Sequence, residues 1–213
     1  MSGQSRYFNV LGPLASVAVK LPTRQSPTQP SLELETVDAD SQFTVKAEAF
    51  DSVGNLLSTY DGSGTWSSLD GGISPSSPSN FVEGVSLTTA TIPGAFKNDQ
   101  ITLTTGGVVG SSHFFTVVGP LAAIAVKVST PVTAGMPFTV KAVAMDSLGT
   151  PITDYNASAT WSSLDGGLSP ADPNDFVNGV SATGATVPSS FSDDQIMVAS
   201  GGVSGRSPTF NVH

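Results

Sequence analysis

Two histidines, His113 and His213, are all the imidazole in the 213-residue chain, and cysteine is absent. Zinc-thiolate sites, disulfides and thiol nucleophiles are therefore excluded. The position that matches His113 in a second copy of the surrounding sequence is Pro208, and His213 is the last residue, so no mirrored histidine site exists. His113 reads as a strand-surface residue rather than a general base. Ser204, in Gly202-Val203-Ser204-Gly205-Arg206, lacks the glycine spacing of a nucleophile elbow. Gly106-Gly107-Val108-Val109-Gly110 is followed by no helix whose N-terminus could hold a phosphate, and it reads as a hairpin turn.

The carboxylates are better candidates. Asp51, Asp70 and Asp99 recur as Asp146, Asp165 and Asp194. Calcium takes clustered carboxylates and carbonyls on loops, but none of these stands in a D-x-D-x-D-G loop. Turn-forming aspartate, hydrogen-bonded to its own backbone, is the alternative and the favoured reading. Lys46 and Lys141 recur beside Asp99 and Asp194, a pairing that could form an isopeptide crosslink. Strand alternation turns each lysine away from the core, which opposes that bond. No catalytic residue, cofactor or metal is expected, and no binding residue can be assigned.

What positions these residues is a repeat, a pattern to be sought before any other. Phe43-Thr44-Val45-Lys46-Ala47 returns as Phe138-Thr139-Val140-Lys141-Ala142, an offset of 95, and 42 of the 76 positions from 43 to 118 match. Trp66-Ser67-Ser68-Leu69-Asp70-Gly71-Gly72 returns as Trp161-Ser162-Ser163-Leu164-Asp165-Gly166-Gly167. Upstream the offset is 107, pairing Gly12-Pro13-Leu14-Ala15 with Gly119-Pro120-Leu121-Ala122, so the first copy carries 12 extra residues. The expected domains are repeat one over 12–118, with an insertion at 21–42, and repeat two over 119–213. Within residues 1–11, Gly3–Val10 match Gly110–Val117 and Gly205–Val212, the final strand of each repeat. They read as the end of a preceding repeat or as a strand donated to a neighbouring subunit. Met1-Ser2-Gly3-Gln4 shows neither the basic nor the apolar region of a signal peptide.

Helical periodicity is absent, and strand signals recur at sandwich spacing. In Phe43–Ala49 apolar and polar residues alternate, which places Phe43, Val45, Ala47 and Ala49 toward a core. Further strands are expected near Leu14–Lys20, Ser63–Leu69, Asn80–Val82, Val85–Ile92, Gln100–Thr105 and Ser112–Val118. About seven strands in roughly 100 residues is the immunoglobulin-like pattern. The fold class is all-β, two tandem immunoglobulin-like β-sandwich domains joined end to end. Trp66 and Trp161 read as core residues of the third long strand, with a sugar-stacking platform as the alternative.

The run Pro137–Gly149, followed by Tyr155 and Thr160-Trp161-Ser162-Ser163, resembles bacterial Ig-like tandem repeats of surface adhesins and secreted multimodular proteins. That resemblance spans nearly the whole chain twice. It implies an extracellular or cell-surface location and a non-enzymatic spacer or adhesive role. The implied partners are neighbouring repeats or subunits, and a host or cell-surface protein or glycan. Two alternatives stand: a filament subunit assembled through the N-terminal strand, and a carbohydrate-binding accessory module of a secreted enzyme.

Composition agrees with a folded, acidic module. Net charge is -9, with 17 acidic and 8 basic residues, which opposes nucleic-acid binding because phosphate contacts need clustered Lys and Arg. No run of about 18 apolar residues exists, so no membrane insertion is expected. Gly119-Pro120 joins the repeats without a flexible linker, since proline fixes φ and extends the residue before it. At about 3.3 Å per residue each sandwich would be roughly 35–40 Å long, and two a rod on the order of 80 Å. The insertion holds Pro22, Pro27 and Pro30, then Leu32-Glu33-Leu34-Glu35-Thr36-Val37. It reads as an exposed loop and an acidic edge strand, either a tolerated insertion or a place of specific contact.

Overall fold

The computed structural model describes residues 10–21, 35–165 and 167–213, and these contain strands and turns with no helix. The chain divides into two compact units, Met1–Val117 and Val118–His213. In unit one, strands β1 (Ser16–Lys20), β3 (Phe43–Phe50) and β5 (Val85–Ala90) form one antiparallel sheet in the order β1-β3-β5. The opposing layer contains β4 (Gly64–Ser68), β7 (Ile101–Thr105) and β8 (Val108–Ser111), in the order β4-β7-β8. It also contains β2 (Glu35–Asp38), β9 (Phe115–Val118) and β6 (Phe96–Asp99), in the order β2-β9-β6.

Unit two repeats the plan. Strands β10 (Ala123–Val128), β11 (Phe138–Met145) and β13 (Val180–Ala185) form the first sheet. The opposing layer is β12 (Thr160–Ser163), β15 (Ile196–Ser200) and β16 (Val203–Arg206), together with the pair β14 (Phe191–Asp194) and β17 (Phe210–Val212). This is the expected all-β, immunoglobulin-like sandwich.

Alternation decides which side chains meet between the layers, because successive strand residues point to opposite faces. Val45, Ala47 and Ala49 are buried on β3, and Val140, Ala142 and Ala144 on β11. Each core closes over large side chains: Phe81, Ile101 and Phe115 in unit one, Phe176, Ile196 and Phe210 in unit two. Trp66 is buried, as expected, with its indole N–H unpartnered. Trp161 is only half-buried and donates to the carbonyls of Pro170 and Ala171, both at 3.1 Å.

Several expected boundaries shift. The strand expected over Ser112–Val118 is the second half of an interrupted strand, β8 then β9, and the expected turn at Gly106–Gly110 is confined to Gly106 and Gly107. The interruption is stitched by side chains. Ser112 Oγ accepts from the N–H of Ile101 at 3.0 Å, and Gln100 Nε2 donates to the Ser112 carbonyl at 2.9 Å. Ser207 and Gln195 repeat this in unit two at 3.1 and 2.8 Å. The piece expected near Asn80–Val82 is a single bridge from Val82 to Val85 across a tight turn.

The insertion occupies the passage from one layer to the other. In unit two the chain leaves β10 at Val128 and makes a parallel bridge from Val132 to Val212 after three residues. In unit one the matching positions, Leu21 and Val37, are both buried but are separated by the longer segment. Its end is the edge strand β2. Pro22, Pro27, Pro30 and the Leu32–Leu34 run lie outside the described residues, as do Gly3–Asn9 of the segment expected to match a final strand.

Candidate functional site

The recurrent aspartates separate into two structural roles. Asp51 directly follows β3 and is buried. Its Oδ1 accepts from the N–H groups of Val53 and Asn55 at 2.9 and 2.8 Å, and its Oδ2 accepts from the Asn55 side-chain amide at 3.0 Å. The same Oδ2 reaches the N–H of Gly12 at 3.3 Å, where the repeat begins. The Asn55 side chain, then its backbone N–H, hold the Asp51 carboxyl down at about 2, helped by the N–H groups of Gly12 and Val53 against the opposing effect of burial.

Asp146 does the same work in unit two. It accepts from Leu148 and Thr150 at 2.9 and 2.8 Å and from the N–H of Gly119 at 3.2 Å. Thr150 replaces Asn55 there, and its Oγ1 is buried without a partner. In both units a turn aspartate therefore tethers the glycine at the start of its own repeat.

Asp99 and Asp194 are fully buried. Asp99 accepts from the Ser68 hydroxyl, at 2.9 and 2.7 Å to its two oxygens, and from the N–H groups of Leu69, Asp70 and Gln100. Asp194 accepts from Ser163, Asp165 and Gln195 in the same way. Four donors on the Asp99 carboxyl fix the loop that leaves the tryptophan strand β4. These donors satisfy the buried carboxyl oxygens. Asp70 and Asp165 are exposed on that loop. No group of three or more His, Asp or Glu side chains converges on a metal position among the described residues.

The remaining sequence candidates are not brought together. His113, His213 and Ser204 are exposed. Lys46 lies on the outer face of β3, whereas Asp99 is buried against Ser68, so the structure does not place the crosslinking pair in contact.

A different arrangement appears on the outer face of the first sheet, and sequence reasoning passed over it. Lys20 and Lys46 are register partners on β1 and β3. Glu48 lies between them, with ion pairs of 2.6 Å to Lys20 and 2.7 Å to Lys46. Both lysines, Lys20 foremost, lower the Glu48 pKa. In unit two Lys127 and Lys141 are again register partners, but the position of Glu48 is Val143. The signal available in the sequence was this one non-matching position beside two retained lysines.

No protein-family model matches the chain, and no curated protein matches it. Solved structures do resemble it, at low identity. The Escherichia coli adhesin FdeC is 18% identical with a TM-score of 0.48, over 95% of this chain and 66% of that one. Domains 4 and 5 of the S-layer protein SbsC are 16% identical with a TM-score of 0.45, over 94% and 99%. The D0-D1 domain of intimin is 12% identical with a TM-score of 0.36, over 91% and 96%. The chain thus spans about two thirds of the adhesin structure's length. These similar structures are bacterial adhesin and S-layer domains, and this chain's own sheets establish its all-β sandwich fold.

Proposed function

We propose that the chain is a non-enzymatic tandem module of a bacterial extracellular surface protein, acting as a spacer with an adhesive capacity. The observation that carries this reading is the recurrent tether. Asp51 holds Gly12, and Asp146 holds Gly119, so each repeat secures its own first strand by the same buried carboxylate. The other recurrent polar groups, Asp99 with Ser68 and Asp194 with Ser163, are likewise used inside their own units. What is repeated serves the build of a self-contained unit, which is what a repeat added in series requires.

The spacer reading predicts an elongated particle. Small-angle scattering should give a maximum dimension on the order of 80 Å, from about 3.3 Å per strand residue in two sandwiches laid in series. A compact particle would sink the spacer reading. Whole-cell immunogold labelling of the source bacterium tests the location, and label confined to the cytoplasm would overturn it.

A further inference from the structure

The two repeats differ sharply at one built feature. On the outer face of unit one, Lys20 and Lys46 stand opposite one another across antiparallel strands and share the Glu48 carboxylate at 2.6 and 2.7 Å. Unit two keeps both cations, Lys127 opposite Lys141, and replaces the carboxylate by Val143. Directly opposed residues have Cβ atoms only about 5 Å apart, so two like charges there repel unless an anion is shared. Both lysines are exposed.

The outward strand positions of that face supply no anion. Its outward positions on β10, β11 and β13 include Ala123, Ala125, Val143, Met145, Val180 and Ala182, and none is acidic. The module around it has net charge -4, from seven Asp and three Lys or Arg over 119–213, yet this face is positive.

From these observations we infer that Lys127 and Lys141 form a carboxylate-binding site, occupied by a glutamate or aspartate side chain on the surface of a partner protein. Unit one demonstrates the coordination, because the same lysine pair holds one carboxylate there. The surroundings favour a protein over a glycan. A sheet face whose outward strand positions are mostly small and aliphatic suits apolar packing around a single ion pair, and those positions present no aromatic platform for sugar rings. The site extends the adhesive part of the proposed function, and its failure would leave the spacer part standing.

Repeat-swap variants provide the test. The full chain is labelled for NMR and titrated with the blocked peptide Leu-Glu-Leu, with blocked Leu-Gln-Leu, and with oligogalacturonate. The Glu peptide should produce saturable shifts at the β10 and β11 amides and at the Lys127 and Lys141 side chains. These shifts should weaken as salt rises, because the charges are exposed. Val143→Glu supplies an internal carboxylate and should weaken binding at least tenfold. Glu48→Val should open an equivalent site between Lys20 and Lys46. Lys127→Gln and Lys141→Gln, at exposed positions that leave the core intact, should each abolish the response. The inference is overturned by an unresponsive wild-type chain, by equal responses to the Glu and Gln peptides, by binding of oligogalacturonate alone, or by a Glu48→Val chain that gains no site.

Discussion

The carboxylate of Asp51 crosses 39 residues of sequence to accept the N–H of Gly12 at 3.3 Å. In the second unit Asp146 holds Gly119 at 3.2 Å across 27 residues. The two loops closed by these bonds differ by the 12 inserted residues, yet the contact is the same. The bond belongs to the folded unit and is independent of the chain length it spans.

Removing that acceptor leaves several N–H groups without a partner. Asp146→Ala should destabilise unit two by about 1–3 kcal/mol, the cost of stranding buried donors. Asp146→Asn, which retains one acceptor oxygen, should lose less. Chemical denaturation in a Trp66→Phe background, followed through Trp161 fluorescence, measures both.

Acid should weaken unit one through Asp51. Its folded pKa of about 2 lies below the ordinary 3.8, so the contribution is fully present above the unfolded value. It is lost as pH falls from about 4 toward 2. Asn55→Thr copies the second unit and removes the largest cause of the shift, so the Asp51 carboxyl should titrate higher. Carbon-detected NMR of the carboxyl group reads this directly.

Thr150→Asn makes the reverse exchange. It replaces a buried hydroxyl that has no partner with an amide that can reach Asp146, as Asn55 reaches Asp51. Unit two should gain about 1 kcal/mol, the net worth of a typical hydrogen bond. A melting temperature equal to or below that of the wild-type chain would contradict this.

The lysine–glutamate cluster makes a smaller, salt-sensitive contribution. Glu48→Gln should cost unit one about 0.2–1 kcal/mol, the range for exposed ion pairs. The difference should fade at about 1 M salt, where charges are screened within about 3 Å. Denaturation curves at low and high salt separate this effect from lost packing.

At Gly110 and Gly205 the backbones of β8 and β16 run close against those of β1 and β10. A Cβ on Gly110 would lie inside contact distance of the Val17 carbonyl, and one on Gly205 inside that of the Ile124 carbonyl. Both glycines keep ordinary negative φ, so the constraint is space and not conformation. Gly205→Ala should force β16 away from β10 and cost about 1–3 kcal/mol by overpacking. Faster hydrogen exchange on β16 would report the displacement.

Much of the architecture was legible because local periodicity and internal repetition state it twice. The alternation in Phe43–Ala49 places Val45, Ala47 and Ala49 inside, and its copy places Val140, Ala142 and Ala144 inside. The broken strand from Val108 to Val118 was not legible. Its interruption is completed by Ser112 and Gln100 bonding across to a neighbouring strand, and such pairing has no local signature. Asp51 and Asp146 were legible as turn residues. Asp99 and Asp194 close strands β6 and β14 instead and bond serines 31 residues away, and neither Gly12 nor Ser68 was legible as a partner.

The sequence by itself determined that the chain is a duplicated all-β module, because side-chain period, turn residues and the offset of 95 are properties of order along the chain. Tertiary structure alone decided that Glu48 is shared by Lys20 and Lys46, and that Val143 leaves Lys127 and Lys141 without that shared carboxylate. Register between strands sets that neighbourhood, and register arises from packing two sheets together rather than from any one segment.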